Sequence, residues 1–233
     1  MPAPGAIEAW WASGGPDDAP AAHIRELLDA RERERARAHR APAASHTFVR
    51  AHALLRLVLA AYVGEDPAAL RFTTRCRLCG GSHGKPSLIG AADLDFSLSH
   101  SHGAAIVAVG GAAPIGVDIE NRRGAATVSE LSPAILAPGE TLGRTSAGAT
   151  GLLRHWTRKE ALLKATGHGL AIDPSTVRLM PAPDGRWHVR SAPHLDTPGS
   201  WTIIDATPGP DHVAAIALKR TPSAVALTRV DLP

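Results

Sequence analysis

Apolar positions recur along the chain in two periods, and their order predicts the architecture. Ile7–Trp11 has the alternation of a first strand and ends at the turn-rich segment 13–20. Over 21–40, Ile24, Leu27 and Leu28 give a helix a short apolar face, and Pro42 is expected to end it. Ser45 is expected to cap a second helix running to about Tyr62. Its broad stripe is Phe48, Val49, Leu54, Leu55, Val58, Leu59 and Tyr62, with Gly64 as its stop. Leu94–Leu98 and Ala104–Val109 read as strands, and Gly110–Pro114 turns the chain into another, Ala113–Glu120. Val128–Leu136 carries a weak helical pattern. Leu152, Leu153, Trp156, Ala161, Leu162, Leu163 and Ala165 predict a packed helix of about four turns, stopped by Gly167 and Gly169. Thr176–Met180, Arg186–Arg190, Trp201–Asp205 and His212–Leu218 read as strands between Pro and Gly turns. The proline-flanked segment Thr221–Pro233 is expected to be loosely held.

Helices followed by strands, twice over, favour an α+β fold over a doubly wound sheet. The boundary between halves is placed at 1–112 and 113–233. A length of 233 residues suits two small domains, and 44% apolar residues suffice for a sizeable core. Aromatics are only 4%, so that core must come from Ala, Leu, Val and Ile. A net charge of +3 admits an anionic ligand or acidic partner without requiring nucleic acid. No signal-peptide pattern and no apolar run of about 18 residues is visible, so a soluble, cytoplasmic protein is expected.

The chemistry concentrates in two stretches. In APIGVDIE, period two puts Asp118 and Glu120 on one face, about 6–7 Å apart. Gly116 is expected to leave that face open for a ligand to approach the backbone. In WTRKEALLKATGHGL, Trp156, Glu160 and Lys164 follow one another at four-residue spacing and share a helix face. Glu160 and Lys164 alone would be an exposed ion pair worth about 0.3–0.5 kcal/mol. If the helix docks over the strand, Asp118, Glu120 and Glu160 make an all-oxygen site suited to Mg²⁺.

Other polar clusters leave alternatives open. Arg31, Arg33, Arg35, Arg37 and Arg40, interleaved with Glu32 and Glu34, read as a solvated helix face or as a phosphate-recognition surface. Cys76 and Cys79 have C-x-x-C spacing with His83 nearby, but they are the only two cysteines and a zinc site needs a fourth ligand. Gly80-Gly81 argues against a redox dithiol at a helix start. Ser99-His100-Ser101 lacks the G-x-S-x-G elbow of a hydrolase.

GVDIE, followed 42 positions after its aspartate (118 to 160) by the glutamate of W-x-x-K-E-A-x-x-K-x-x-G-x-G-L, resembles the 4′-phosphopantetheinyl transferases of the surfactin-synthetase-activating type. The resemblance runs from about Leu28 into the 210s. It implies a pseudo-dimer of two similar α+β halves with coenzyme A in the cleft between them. It implies Mg²⁺ on Asp118, Glu120 and Glu160. Glu160 would also act as general base, directly or through a metal-bound water, and Lys164 would balance charge on the phosphate. Gly84-Lys85-Pro86 matches the family's Gly-Lys-Pro, and Phe96, Ser99, His100 and Ser101 match its F-x-x-S-H-S. Lys85, Pro86, Ser99 and His100 would thus contact coenzyme A, His100 at the 3′-phosphate. Arg33, Arg35 and Arg37 are the equivalents of the family's basic phosphate contacts, with Arg50 in place of an arginine expected earlier in its helix. Glu140 falls where the family carries another acidic residue near the site, and Trp156 is assigned to packing.

The implied reaction moves the 4′-phosphopantetheine arm to a serine of an apo acyl, peptidyl or aryl carrier protein. It releases adenosine 3′,5′-bisphosphate and serves fatty acid, polyketide or nonribosomal peptide synthesis. The expected protein is a cytoplasmic monomer acting on neither nucleic acid nor membranes. Two other classes compete: a non-catalytic module binding a nucleotide or an acidic protein, and a small zinc-binding regulator using Cys76, Cys79 and His83.

Overall fold

The computed structural model describes residues 5–15, 18–76, 79–82, 84–130, 132–140, 142, 148–195 and 198–232. The chain opens with strand β1 (Ala6–Ser13) and helices α1 (Ala22–Glu26), α2 (Ala30–Ala38) and α3 (Pro42–Val63). The single helix expected over 21–40 is two. Asp29 and Glu32 cap each other's backbone N–H across the first turn of α2, which starts a new helix there. Pro42 does not end a helix; it opens α3, where a missing N–H costs nothing, and Ser45 lies inside the helix.

A short ribbon, β2 (Phe72–Thr73) with β3 (Ser87–Leu88), flanks the cysteine loop. Then come β4 (Asp95–Ser101), β5 (Ala104–Gly110), β6 (Ile115–Asn121), α4 (Ala125–Glu130), α5 (Ser132–Ile135) and α6 (Ala149–Thr166). The chain closes with β7 (Arg178–Pro181), β8 (Trp187–Ser191), β9 (Trp201–Ala206), β10 (His212–Lys219) and β11 (Ala224–Arg229).

This is a mixed α+β fold built on two main sheets. One runs β11-β1-β5-β4, the other β6-β10-β9-β8-β7. Alternation divides each strand between two cores. On β5, Ala105, Val107 and Val109 pack with Leu54, Val58 and Leu59 of α3. The alternate residues Ala104, Ile106 and Ala108 pack with Ile115, Val117 and Ile119 of β6 and with Ile216 and Leu218 of β10. The sheets therefore share an aliphatic core on the faces their helices leave uncovered. On the far side of the second sheet, Leu162 and Leu163 of α6 meet Trp187, Trp201 and Ile203.

The terminal segment expected to be loose is a strand. β11 pairs in parallel with β1, Ala6 opposite Ala224 through Trp11 opposite Arg229, and the N–H of Val230 donates to the carbonyl of Trp11 at 2.7 Å. Its side chains are exposed despite the apolar run Ala224–Leu227; the free edge of β1 recruits it through backbone groups. Among the described residues no helix is long and apolar enough to cross a membrane.

Candidate active site

Helix α6 lies directly on β6, and Gly116 is the reason. A Cβ at Gly116 would sit 2.0 Å from the carbonyl oxygen of Ala161 and 2.4 Å from the nitrogen of Ala165. The space expected to admit a ligand is filled by helix backbone. The close approach carries the stripe Trp156–Glu160–Lys164 over the carboxylates of β6. Lys164 Nζ donates to Asp118 Oδ1 at 2.6 Å and to Ser99 Oγ at 2.7 Å. Its ion pair is with Asp118 on another element, not the exposed pair with Glu160 one turn back. Trp156 is half-buried and its indole N–H side favours the charge of Glu120, so it does more than pack.

Three carboxylates in one place repel. Burial and the neighbouring charge of Asp118 push Glu160 up to about 7; Lys164 only partly offsets them, and Glu120 adds to the rise. Glu120 is raised as well, by burial first and then by Asp118. Asp118 Oδ2 and Glu160 Oε1 are buried without a hydrogen-bond partner. Among the described residues, no group of three or more His, Cys, Asp or Glu side chains is arranged to hold a metal ion as the side chains stand. The donor chemistry nonetheless fits a hard cation: oxygen ligands only, two of them buried and under-bonded, in a cluster short of positive charge.

The carboxylates are aimed from across the junction between sheets. β4 ends one sheet and β6 ends the other, and side chains bridge them at a constant offset of 20 residues. Asp95 Oδ2 accepts the N–H of Ile115 at 2.8 Å and Ser97 Oγ that of Val117 at 3.0 Å. Ser99 Oγ accepts the N–H of Ile119 and Ser101 Oγ that of Asn121, each at 3.3 Å. Ser99 also donates to Asp118 Oδ1 at 2.8 Å, and Ser101 donates to Glu120 Oε2 at 3.0 Å. Ser99, expected at coenzyme A, is instead saturated: one donated and two accepted bonds exhaust a hydroxyl. The sequence reading missed Asp95, Ser97 and Ser101 as a set. Their alternation at 95, 97, 99 and 101 was the available signal.

Beside this cluster is a cavity of about 490 Å³ lined by Arg35, His52, Lys85, Pro86, His100 and Lys164. It adjoins a groove of about 630 Å³ that shares Arg35, His52 and Pro86. Phe48 is the platform of this wall: Arg35 lies 5.0 Å above its ring, His52 stacks on it at 4.1 Å, and His100 meets it edge-on at 6.3 Å. His52 is fixed by Glu32 at 2.9 Å, whose other oxygen accepts from the wholly buried Arg56. Burial would raise Glu32, but the bonds from His52 and Arg56 prevail and hold it at about 2. Burial pushes His100 down to about 4, together with the fields of His52, Lys164, His39 and Arg35. Arg35 and Lys164 are cations, so their fields act with burial in the same direction. A wall that resists one more proton is a wall suited to an anion.

The remaining expected phosphate contacts divide. Lys85 reaches the cavity and is tethered by Asp95 and by the carbonyl of Ile115, 2.7 Å away. Arg33 folds back onto the carbonyl of Leu28, and Arg37 is exposed on α2. Arg50 is not brought to the cavity. It is buried, and its guanidinium donates to the carbonyls of Gly103 at 3.3 Å and Asp18 at 3.2 Å, because its helix position faces the turn between β4 and β5.

Glu140, expected near the site, lies in a different buried network. It accepts from Lys159 at 2.6 Å and from the N–H groups of Ala137 and Leu179. His155 Nε2 is 3.0 Å from its other oxygen, close enough for an ion pair but out of line for a hydrogen bond. Cys76 is buried against the cavity and Cys79 is exposed. His83 lies outside the described residues.

Comparison with known proteins places this geometry in a family. The model of the 4′-phosphopantetheinyl transferase superfamily matches residues 114–217, the span holding both β6 and α6. The chain is 30% identical over 214 residues to the 4′-phosphopantetheinyl transferase HetI of Nostoc, covering 87% of this chain and 84% of that one. It is 31% identical over 189 residues to a phosphopantetheinyl transferase of Thraustochytrium, covering 72% and 63%. To a 4′-phosphopantetheinyl transferase of Bacillus subtilis it is 28% identical over 173 residues, covering 72% and 71%. A relative matched over most of both chains, with the motif strand and motif helix packed into one site, leaves no room for a non-catalytic module or a zinc regulator: the chain belongs to the 4′-phosphopantetheinyl transferase superfamily and is a transferase of phosphopantetheine groups to carrier proteins.

Proposed function

We propose that the donor is coenzyme A, that the acceptor is a serine of an apo acyl, peptidyl or aryl carrier protein, and that Mg²⁺ is held by Asp118, Glu120 and Glu160. The observation that carries this reading is the meeting of under-bonded carboxylates with a cavity walled by cationic side chains. When bound, Mg²⁺ would neutralise charge on the pyrophosphate as a Lewis acid. Arg35, Lys85 and His100 receive the phosphates of the nucleotide end. An arriving phosphate restores to His100 the proton that its cationic neighbours disfavour. Arg33 and Arg37, on the same helix as Arg35, add to the positive field of that helix.

Glu160 takes the proton of the acceptor serine. The serine oxygen attacks the phosphorus bearing the pantetheine arm. The bond from that phosphorus to the bridging oxygen breaks, and adenosine 3′,5′-bisphosphate leaves with the electron pair. Lys164, one turn from Glu160, balances charge on the phosphoryl group in transit. Residues 1–112 and 113–233 act as the two halves of a pseudo-dimer of the surfactin-synthetase-activating type, with β11 of the second half completing the sheet of the first, working as a cytoplasmic monomer.

Intact mass spectrometry of an apo carrier protein tests this, with coenzyme A and either Mg²⁺ or a chelator. The expected result is a gain of one phosphopantetheine group with Mg²⁺ and none with chelator. Equal gain in both arms would remove the metal, and no gain on any class of carrier would remove the acceptor. Dephospho-coenzyme A should react with a higher KM, and His100→Ala should shrink the difference.

A further inference from the structure

Two of the four rungs between β4 and β6 also hold a carboxylate of β6. At Asp95 and Ser97 the side chain accepts the facing N–H. At Ser99 and Ser101 the same hydroxyl that accepts an N–H of β6 also donates to the carboxylate one residue earlier on that strand. A hydroxyl with its acceptor side fixed by backbone has its proton aimed, and an aimed proton fixes a carboxylate's rotation. We propose that Ser101 is a positioning residue: it holds Glu120 in the orientation in which that carboxylate binds the cation, as Ser99 does for Asp118.

The arrangement has a physical logic. Asp118 and Glu120 repel each other and Glu160, so unrestrained side chains would rotate apart. Ser99 and Ser101 share the two-residue spacing of Asp118 and Glu120, and strand geometry keeps both pairs in step. The hydroxyls come from the other sheet, so the carboxylates are held against an element that does not move with their own strand. His100, between the two serines, points to the opposite face and reaches the anion cavity. One strand thus orders both ligand environments.

This inference rests on the reading of Asp118, Glu120 and Glu160 as a Mg²⁺ site, and the test separates the two. Mn²⁺ alone is titrated into the whole chain without coenzyme A, and binding is followed by loss of the free-ion electron paramagnetic resonance signal. Melting temperature is measured alongside. Ser101→Ala is expected to weaken Mn²⁺ binding by about 10- to 100-fold, and Ser101→Thr, which keeps the hydroxyl, to restore it. Ser97→Ala removes a rung of the same ladder that touches neither carboxylate. It should lower the melting temperature as Ser101→Ala does, yet leave Mn²⁺ affinity unchanged. If Ser101→Ala does not fold, Ser101→Cys, of similar shape but a weak donor, carries the same expectation. Wild-type affinity in Ser101→Ala or Ser101→Cys, or equal weakening in Ser97→Ala, overturns the positioning role. A wild-type chain that does not bind Mn²⁺, or an Asp118→Asn variant that binds as well as wild type, overturns the metal site itself and the inference with it.

Discussion

Lys159 and Glu160 are neighbours on α6, and their surroundings are opposite. Lys159 is wholly buried, and its ammonium donates to Glu140 and to the carbonyls of Ile135, Pro174 and Val177. Three protons share four acceptors, and the side chain ties two segments, 135–140 and 174–177, to one helix. Glu160 keeps one oxygen unbonded and is crowded by like charge. The first network is complete and inert; the second is incomplete and reactive. Chemistry is assigned to the side where charge is under-compensated, because a satisfied ion has nothing left to offer a substrate. The sequence motif W-x-x-K-E-A-x-x-K contains both kinds of charge, and only their partners tell them apart.

Removing charge from the crowded side should have the largest effect, and it should fall on rate. Asp118→Asn or Glu160→Gln is expected to lower kcat by about 10³-fold, the loss of several kcal/mol of charge stabilisation. The melting temperature should hold or rise, since repulsion is relieved. Steady-state kinetics and calorimetry on the same samples check both halves. A variant that keeps its rate would break the comparison at its functional end.

On the satisfied side the loss should be of stability. Lys159→Met strands Glu140 in the interior, and breaking a buried pair costs about 3–5 kcal/mol. Double replacement, Lys159→Met with Glu140→Gln, should recover part of that loss. Denaturant unfolding of the single and double variants measures it. If Lys159→Met is as stable as wild type, the network is not a structural anchor.

A pH series sharpens the contrast through its sign. Burial would raise Glu140, but the Lys159 ammonium, two backbone N–H groups and the nearby His155 ring outweigh it and hold Glu140 at about 2, against 4.5 in the unfolded chain. Its contribution is full above about pH 4.5 and is lost as pH falls towards 2. Burial draws Lys159 down before Glu140 raises it, so the pair gains less than the Glu140 shift alone implies. Glu160 is displaced the other way, from 4.5 to about 7. Between those values the folded chain binds more protons, so this group destabilises increasingly as pH rises through the window. Against wild type, Glu140→Gln should lose stability as pH rises from 3 to about 4.5, and Glu160→Gln should gain it from about 4.5 to 7, in melting curves taken from pH 3 to 8. Parallel curves would erase the distinction.

The smallest effect is expected in the cavity. Lys85→Ala should raise KM for coenzyme A by about 10-fold, the lower end of a charge-assisted contact, with kcat nearly unchanged. An unmoved KM would leave Lys85 only its structural tether to Asp95.

What the sequence determined is whatever depends on spacing along one element. Period two put Asp118 and Glu120 on one face, and period four put Trp156, Glu160 and Lys164 on another. Both hold, because strand and helix geometry are set locally by backbone dihedrals. The continuous apolar run Ala104–Val109 likewise foretold a buried strand, and both its faces are covered. What only the tertiary structure decided is where elements meet. Gly116 could mean an open face or a close approach, and the docking of α6 chose. Arg50 became a backbone brace and Lys159 a buried anchor because of carbonyls distant in the chain. Ser97, Ser99 and Ser101 became a bridge because two sheet edges came side by side. A hydrogen bond between residues 20 or 46 positions apart leaves no local period. Only packing of the shared aliphatic core brings its two ends within reach.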